Sequence, residues 1–310
     1  MHKKYKIVLI LLVVLLLIIY YKNAHYYIVN TKLVTPIKHD VLTQIESNLQ
    51  PACYVKSNYR CPDYNQPHRT QKFFSQVFED YILSIVFKDK STGTYIDVGA
   101  YHSDILSVTK YFYDHGWNGI NIEPAKELYE DLNKKRPRDI NLNVGASYKS
   151  AVMKFYSIGE LSTFDDKIAK QHHNHRHADS YNVSVTTLNN ILRLHPMKSI
   201  DFIKIDVEGF EREVLQGLNL KIYRPVVFIL EAIHPVTKKA QHHKWEHILL
   251  KNNYKLMLFD GLNRYYLAKE HDYLENNFIK AGVCSCLKNK IIPKTSDIFI
   301  NKNIINNISS

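Results

Sequence analysis

Several short apolar runs in the chain end at an acidic residue, and this pattern restricts the possible fold more than any other feature. The runs are residues 94–98 with Asp97 near the end, 120–122 before Glu123, 200–205 before Asp206, and 226–230 before Glu231. Segments with apolar residues at helical spacing lie between them. Strands that alternate with helices form a mostly parallel sheet, and the carboxyl ends of parallel strands meet at one edge. The sequence therefore predicts an α/β fold with these acids gathered along one edge of the sheet.

Toward the C-terminus the pattern changes. Residues 254–259 and 264–267 are apolar runs separated by a turn at Asp260 and Gly261, which predicts an antiparallel hairpin. A length of 310 residues and an apolar share of 45% leave room for one large domain and an extension. We therefore expect a doubly wound, mostly parallel sheet that this hairpin closes.

The glycine-containing loop after the first predicted strand restricts the ligand. A strand, turn, helix, second strand and acid over residues 93–124 form a βαβ unit that binds an adenine nucleoside, and Glu123 could accept both ribose hydroxyls. A dinucleotide fingerprint would place glycines at positions 99, 101 and 104, but the chain has Gly99, Tyr101 and Asp104. A pyrophosphate would not approach this loop easily, and Asp104 would repel it. The loop therefore favours S-adenosylmethionine, which has no phosphate and carries a sulfonium cation, over NAD.

Six segments, in their order and spacing, resemble the FkbM family of S-adenosylmethionine-dependent methyltransferases. They are residues 75–80, 95–100, 116–124, 161–164, 200–209 and 259–264. The most distinctive are Gly116-Trp117 with Glu123-Pro124, and the run from Lys204 to Gly209. The resemblance implies a Rossmann-like class I methyltransferase fold with a seven-stranded sheet, and O-methylation, often of a sugar hydroxyl. One departure is the sequence Tyr-His-Ser at 101–103, where many family members have Asn-Asp-Gly.

The predicted cofactor contacts lie in the βαβ unit and at the strand end near residue 206. They are Asp97, Gly99, Ala100, Tyr101, Glu123, Pro124 and Asp206. Glu123 is the predicted acceptor for the ribose hydroxyls, because a charged residue between Ile122 and Pro124 otherwise has little reason to end a buried strand. Strand-ending turns and helix caps remain the structural alternative for these residues.

The predicted catalytic residues are Asp206, Glu208 and His234. A sugar hydroxyl is a weak acid, so a base or a metal ion is expected near the transferred methyl group. Asp206 could take the hydroxyl proton, or it could join Glu208 and Glu231 in binding a divalent ion such as Mg²⁺, which prefers oxygen ligands. His234 is an alternative base. The loop at 159–185 and the region after Glu231 are expected to select the acceptor.

The N-terminus predicts a membrane anchor. Residues 1–6 contain three lysines, and residues 7–21 carry no charge and are mostly Leu, Ile and Val. This segment is short for a membrane span, but flanking lysines can snorkel. We expect an uncleaved transmembrane signal-anchor, with a cleaved signal peptide or a buried helix as alternatives. A stem over 22–70, a methyltransferase domain over 71–287 and a flexible tail over 288–310 complete the predicted organisation.

The expected topology places the N-terminus in the cytosol and the catalytic domain in an endomembrane lumen. Two N-glycosylation triplets, which begin at Asn182 and Asn307, agree with that placement, as does an even number of cysteines. A cytosol-facing or secreted domain is the alternative. A glycan or another hydroxylated acceptor is the expected partner besides the cofactor and the membrane.

The charge of the chain does not indicate nucleic-acid binding. The formal net charge is +11, but the sequence shows no arginine-rich block or stripe of alternating basic and aromatic residues. Two other functions stay open at this point. The departure at residues 101–103 is compatible with a degenerate methyltransferase-like domain that only binds a glycan or protein, and an NAD-dependent sugar enzyme is the third possibility.

Overall fold

The computed structural model describes residues 49–51, 73–173, 179–289 and 299–301. The strands in this part of the chain are β1 Leu49–Pro51, β2 Thr94–Val98, β3 Asn118–Ile122, β4 Ile140–Leu142, β5 Gly145–Ala146, β6 Ala151–Ser157, β7 Asp179–Thr186, β8 Phe202–Ile205, β9 Val227–Glu231, β10 Tyr254–Phe259, β11 Asn263–Ala268 and β12 Phe299–Asn301. The α-helices are α1 Glu79–Val86, α2 Lys110–Asp114, α3 Lys126–Lys135, α4 Asp166–His173, α5 Leu188–Leu194, α6 Glu211–Gln216, α7 Glu246–Leu250 and α8 Glu275–Asn289. Short 3₁₀ helices occupy His242–Lys244 and Lys269–Leu274.

The main sheet has the order β1-β12-β10-β11-β9-β8-β2-β3-β4. The five strands from β4 through β9 in this order run parallel to one another, and β11 is antiparallel to both β9 and β10. The predicted mostly parallel sheet and its closing hairpin are therefore confirmed. Within the described residues this sheet has nine strands instead of the predicted seven, because β1 from the predicted stem pairs with β12 from the predicted tail, and β12 pairs with β10.

Apolar side chains cover both faces of this sheet because successive strand residues point to opposite sides. Tyr95 and Phe202 pack in a buried cluster with residues of α1, α2 and α8. Ile96 and Ile203, one position further along the same strands, pack in a second cluster with residues of α5, α6 and α7. Helices therefore lie on both faces, which is the doubly wound arrangement that the sequence predicts.

The segment after β2 differs from the sequence prediction. Apolar residues from Ile105 to Phe112 recur at helical spacing and predict a helix that begins near residue 104. The structure has turns there, and the α-helix begins at Lys110. Tyr101 and Leu106 have positive φ angles of 54° and 56°, which a right-handed helix cannot contain. Ile105 is 55% exposed, so its place in the apolar pattern does not reflect burial.

A small second sheet has the order β5-β7-β6. Its longest strand, β7, buries only Val183 and Val185 among eight residues. Apolar periodicity was therefore too weak for the sequence to predict β7, and residues 166–173, predicted as irregular, form α4. Asn182, the acceptor of the first glycosylation triplet, is an exposed residue of β7.

No helix within the described ranges is both long enough and apolar enough to cross a membrane. The predicted signal-anchor at residues 7–21 lies outside the described residues. The second glycosylation triplet, at residues 307–309, lies outside them as well.

Candidate active site

A cavity opens at the carboxyl edge of the parallel strands, where the sequence places the predicted acids. It encloses about 1130 Å³ including the part open to solvent. Residues at the ends of four adjacent strands line it: Gly99 after β2, Glu123 after β3, Asp206 after β8 and Glu231 of β9. Tyr101, Pro124 and Glu208 also line this cavity. Seven of the predicted site residues are therefore brought together here.

Glu123 is 5% exposed, and its carboxylate is fixed by two backbone groups. Oε2 accepts a hydrogen bond from the Tyr101 N–H at 2.8 Å, and Oε1 accepts one from the Ala125 N–H at 2.8 Å. Burial raises the pKa of Glu123 to about 7, although these two hydrogen bonds act in the opposite direction. Each carboxylate oxygen has a second lone pair, so the group can still accept hydroxyl donors from the cavity.

The loop that directly follows β2 packs tightly on the end of β8. Gly99 has φ +75°, and a Cβ atom there would lie 2.0 Å from the Asp206 carbonyl oxygen, so only glycine fits. The N–H groups of Gly99 and Ala100 both donate to the Ile122 carbonyl. The Ala100 side chain is buried and does not line the cavity. The loop thus presents Tyr101, rather than Ala100, to a ligand.

Asp97 forms a buried ion pair with Lys204. The two residues are register partners on β2 and β8, and the Lys204 Nζ lies 3.6 Å from Asp97 Oδ1. The Thr109 hydroxyl donates to Asp97 Oδ2 at 2.9 Å. Burial raises the pKa of Asp97, and the charge of Lys204 partly offsets this rise. Asp97 does not line the cavity, so its predicted contact with a cofactor stays a prediction.

Lys204 connects the loop, Asp97 and Asp206. Its Nζ donates to the Gly99 carbonyl at 3.0 Å and lies 3.4 Å from Asp206 Oδ2. Burial alone would lower the pKa of Lys204, but the surrounding carboxylates, Asp206 foremost, raise it above its usual range. Lys204 is therefore a permanent cation. It is not among the site residues predicted from the sequence, although a lysine inside an apolar run is the signal that could have identified it.

Three carboxylates converge beside this lysine. Asp206, Glu208 and Glu231 each have an oxygen within 4.8 Å of the others. Burial, followed by the charge of Asp206, raises the pKa of Glu208 to about 9, and the same causes raise the pKa of Glu231 well above its ordinary value. Asp206, Glu208 and Glu231 form the carboxylate cluster. It could accept a proton from a hydroxyl group or bind a cation.

The turn that presents Glu208 has a defined geometry. Glu208 has φ 52° and Gly209 has φ 95°. The Glu211 carboxylate accepts hydrogen bonds from the N–H groups of Val207 at 3.3 Å and Gly209 at 2.9 Å. The Thr163 hydroxyl donates to the Glu208 carbonyl at 3.0 Å. Glu211 and Thr163 therefore both hold the turn, and neither is among the site residues predicted from the sequence.

His234 does not line the cavity. Its Nδ1 accepts from the backbone N–H groups of Val236 at 3.1 Å and Thr237 at 3.3 Å, within the turn after β9. Burial lowers the pKa of His234, and the charge of Lys244 adds to this effect. The geometry therefore favours Asp206 over His234 as the proton acceptor, and the role predicted for His234 stays a prediction.

Two further parts of the chain complete the cavity wall. Gln76 and Glu79 come from the segment at the start of α1. Glu79 is 4% exposed, and its carboxylate accepts a hydrogen bond from the Asn263 side chain. The loop between β6 and α4 contributes Glu160 and Phe164, together with its neighbouring residues. The first of these segments carries a family-like motif, but the sequence alone did not show that it reaches the cavity.

The lining fits S-adenosylmethionine better than a phosphate-bearing ligand. The apolar part of the wall is formed by Val98, Ile122, Leu128, Ala146, Phe155 and Phe164. Among the described lining residues the basic ones are Lys204 and Lys238, and Lys204 is already engaged with carboxylates. An apolar wall next to carboxylates suits an adenosine group that carries a sulfonium cation. The residues present therefore fit this cofactor.

The sequence matches the family profile "Methyltransferase FkbM domain" over residues 97–256, which is more than half of the chain. The matched region contains the strands and turns that carry Glu123 and the carboxylate cluster. No curated protein has a significant sequence match to the chain.

Several solved structures are similar at low identity. A precorrin-6y C5,15-methyltransferase from Geobacter metallireducens is 11% identical, with 66% of this chain and 94% of that chain covered and a TM-score of 0.35. A putative RNA methyltransferase from Pyrococcus horikoshii is 11% identical, with 67% of this chain and 93% of that chain covered and a TM-score of 0.33. An O-methyltransferase from Bacillus cereus in complex with SAH is 10% identical, with 64% of this chain and 84% of that chain covered and a TM-score of 0.31. At these identities and TM-scores the similarities carry no conclusion about the reaction or substrate of this chain.

Proposed function

The chain belongs to the FkbM family of S-adenosylmethionine-dependent methyltransferases, and from this premise we propose that it transfers the methyl group to a hydroxyl oxygen, in a glycan or glycoconjugate. The observation that carries the proposal is the carboxylate cluster, which lies in the same cavity as Glu123. A hydroxyl group is a weak nucleophile until it loses its proton. Carboxylates beside the cofactor site meet that requirement.

Each part of the cavity has a proposed role. Glu123 holds the ribose hydroxyls, and the apolar wall contacts the adenine ring. When bound, S-adenosylmethionine would supply a methyl group that is activated by a positively charged sulfur, and the sulfur would leave as a neutral thioether. Asp206 is proposed to accept the hydroxyl proton, and the carboxylate cluster could instead hold a Mg²⁺ ion, which would make that proton easier to remove. Positioning of the acceptor oxygen in line with the methyl group supplies much of the acceleration.

The acceptor is proposed to enter between two loops. Gly159, Glu160, Leu161 and Ser162 from one loop line the cavity, and so do Pro235 and Lys238 from the other. These residues belong to the two regions expected from the sequence to select the acceptor. Polar and charged side chains next to Tyr101 suit a sugar, whose hydroxyl groups need hydrogen-bond partners and whose ring packs on aromatic faces.

We expect the purified protein to bind S-adenosylhomocysteine, the product of the cofactor, with a calorimetric signal and an increased melting temperature. Glu123→Gln should weaken this binding by roughly ten-fold or more, because a neutral amide replaces a charged acceptor of two hydroxyls. The matched control is Glu130→Gln, an exposed residue of α3, which should bind as wild type. Absence of any binding to the wild-type protein would contradict the proposal.

The same measurement should depend on pH. The pKa of Glu123 is about 7, and only its ionised form accepts both ribose hydroxyls. Affinity should therefore rise by up to about ten-fold between pH 6 and pH 8. The Glu123→Gln variant should lose this part of the dependence, while the control keeps it. An equally steep profile in both variants would assign the titration to another group.

Membrane anchoring through residues 7–21 and a lumenal catalytic domain are part of the proposal. The lysines at residues 3, 4 and 6 and the exposed position of Asn182 on β7 support it. In cells with an N-glycosylation system, the protein should then show a glycosidase-sensitive decrease in mobility, which Asn182→Gln reduces. Digestion of the domain by protease added to intact microsomes would place it in the cytosol instead.

A further inference from the structure

Carboxylates outnumber cations around the end of β8. The Asp97, Asp206, Glu208, Glu211 and Glu231 side chains lie in this region, and Lys204 is the buried cation among them. Lys204 lies 3.6 Å from Asp97 and 3.4 Å from Asp206, so both share its charge. Lys238 lines the cavity but is exposed. Among the described side chains, carboxyl groups are therefore more numerous than cations on this wall of the cavity.

Glu231 provides a second and separate observation. It is only 5% exposed, and it lines the cavity beside Asp206 and Glu208. Its Oε2 is buried and has no hydrogen-bond partner among the described residues, and the same is true of Oε2 of Glu208. A buried carboxylate oxygen without a partner is costly, and folded proteins usually satisfy such atoms with protein groups, water or an ion. These two oxygens are therefore free to accept a ligand from the cavity.

A second acidic group in the structure shows the contrasting situation. His102, Asp104 and Asp131 also bring three possible ligand atoms together. There, Asp131 accepts from the Ser103 N–H at 3.2 Å and lies 2.8 Å from the Lys135 ammonium. Burial by itself would raise the pKa of Asp131, but the hydrogen bonds from Lys135 and Ser103 together outweigh it and lower the pKa to about 2. That group is already satisfied by the protein, whereas the carboxylate cluster is not.

We propose that Asp206, Glu208 and Glu231 together bind one divalent cation, Mg²⁺ or Mn²⁺, directly through their carboxylate oxygens. Hard divalent cations prefer oxygen ligands, and these two also keep water or substrate oxygens in their coordination shell. The cluster faces the cavity, so such positions are open to a ligand. Glu231 supplies the buried anchor, and the turn at Glu208 brings the third ligand into place.

The role of the ion rests on the proposed function. A cation at this position would orient an acceptor hydroxyl and make its proton easier to remove. The proton would pass to water or to a carboxylate oxygen that does not contact the ion. A glycan with two neighbouring hydroxyls could contact the ion through both oxygens, which would favour vicinal diols as acceptors.

The test uses the full-length protein after treatment with a chelator. Mn²⁺ is titrated in, and the loss of the free-ion electron paramagnetic resonance signal measures binding. We expect one site per chain and competition by Mg²⁺. Glu231→Gln and Glu208→Gln should each weaken binding roughly ten-fold or more, because each removes a charged ligand. Asp131→Asn, in the satisfied acidic group, is the matched control and should bind Mn²⁺ as the wild type does.

Binding of S-adenosylhomocysteine, measured on the same samples, shows that each variant is folded and separates the two proposals. Equal Mn²⁺ affinity in wild type, Glu208→Gln and Glu231→Gln, with cofactor-product binding intact, would overturn the cation site and leave the methyltransferase proposal standing. Loss of Mn²⁺ affinity in both variants, with cofactor-product binding intact, would establish the site.

Discussion

Replacement of Asp206 by asparagine is expected to reduce methyl transfer by about 10²- to 10⁴-fold, which is the usual contribution of a general base. Asparagine keeps the size of the side chain but cannot take a proton. Lys204 keeps Asp97 as a partner at 3.6 Å, so the local structure should persist. S-adenosylhomocysteine should still bind within about three-fold of wild type, so the loss falls on turnover. Transfer of a labelled methyl group to a glycan array, under single-turnover conditions, measures it.

The control for this experiment is Asp89→Asn. Asp89 has a side chain that is 79% exposed and pairs with Lys88 at the surface, so its replacement should leave transfer unchanged. If Asp206→Asn keeps more than a third of the wild-type rate, Asp206 is neither the base nor a required ion ligand. Binding of the cofactor product without transfer to any acceptor, in the wild-type protein, would favour a domain that only binds a glycan or protein.

Removal of the Lys204 charge is expected to have the largest effect on stability. Lys204→Met keeps the aliphatic stem but leaves Asp97, which is 1% exposed, without its cation. Breaking a buried pair on one side costs roughly 3–5 kcal/mol in the free energy of unfolding. Urea denaturation followed by circular dichroism measures it, with the exposed Lys134→Met as the control.

The double variant Asp97→Asn/Lys204→Met distinguishes an uncompensated charge from a loss of packing. It should recover part of the lost stability, because the buried charge is removed together with its partner. The deficit of the single variant should also grow as the pH rises above 3.8, the ordinary pKa of an aspartate. Burial raises the pKa of Asp97, so the folded state binds more protons than the unfolded state above that pH, and stability falls as pH rises. A deficit that neither pH nor the second substitution changes would indicate packing alone.

The sequence predicted the parts of the fold that local patterns determine. Buried parallel strands need continuous apolar runs, and these runs placed β2, β3, β8 and β9 correctly. The acids that follow them could be assigned to one edge because strand direction is fixed in a parallel sheet. Local patterns were weaker where burial is partial. Strand β7 has two buried residues, and the helical spacing after Asp104 is not realised because Leu106 is left-handed.

The remainder of the site depends on contacts between residues that are distant in the chain. Lys204 is separated from Asp97 by more than one hundred residues, and only the register of β2 against β8 shows that they pair. The hydrogen bond between Glu79 and Asn263 spans 184 residues and that between Thr163 and the Glu208 carbonyl spans 45, so neither follows from a local pattern. The sequence therefore identified the acids that line the cavity, but not the groups that hold them in position.

The pairing of Leu49–Pro51 with Phe299–Asn301 has a practical consequence for anyone who expresses the domain by itself. A fragment of residues 71–287 would contain the described residues that line the cavity but would lack both strands. Leu258 and Phe259 of β10 would then lose their partners Ile300 and Phe299. An apolar strand with open hydrogen-bonding groups is prone to self-association. Low solubility of such a fragment would therefore reflect the missing edge strands β1 and β12 and not a defective active site.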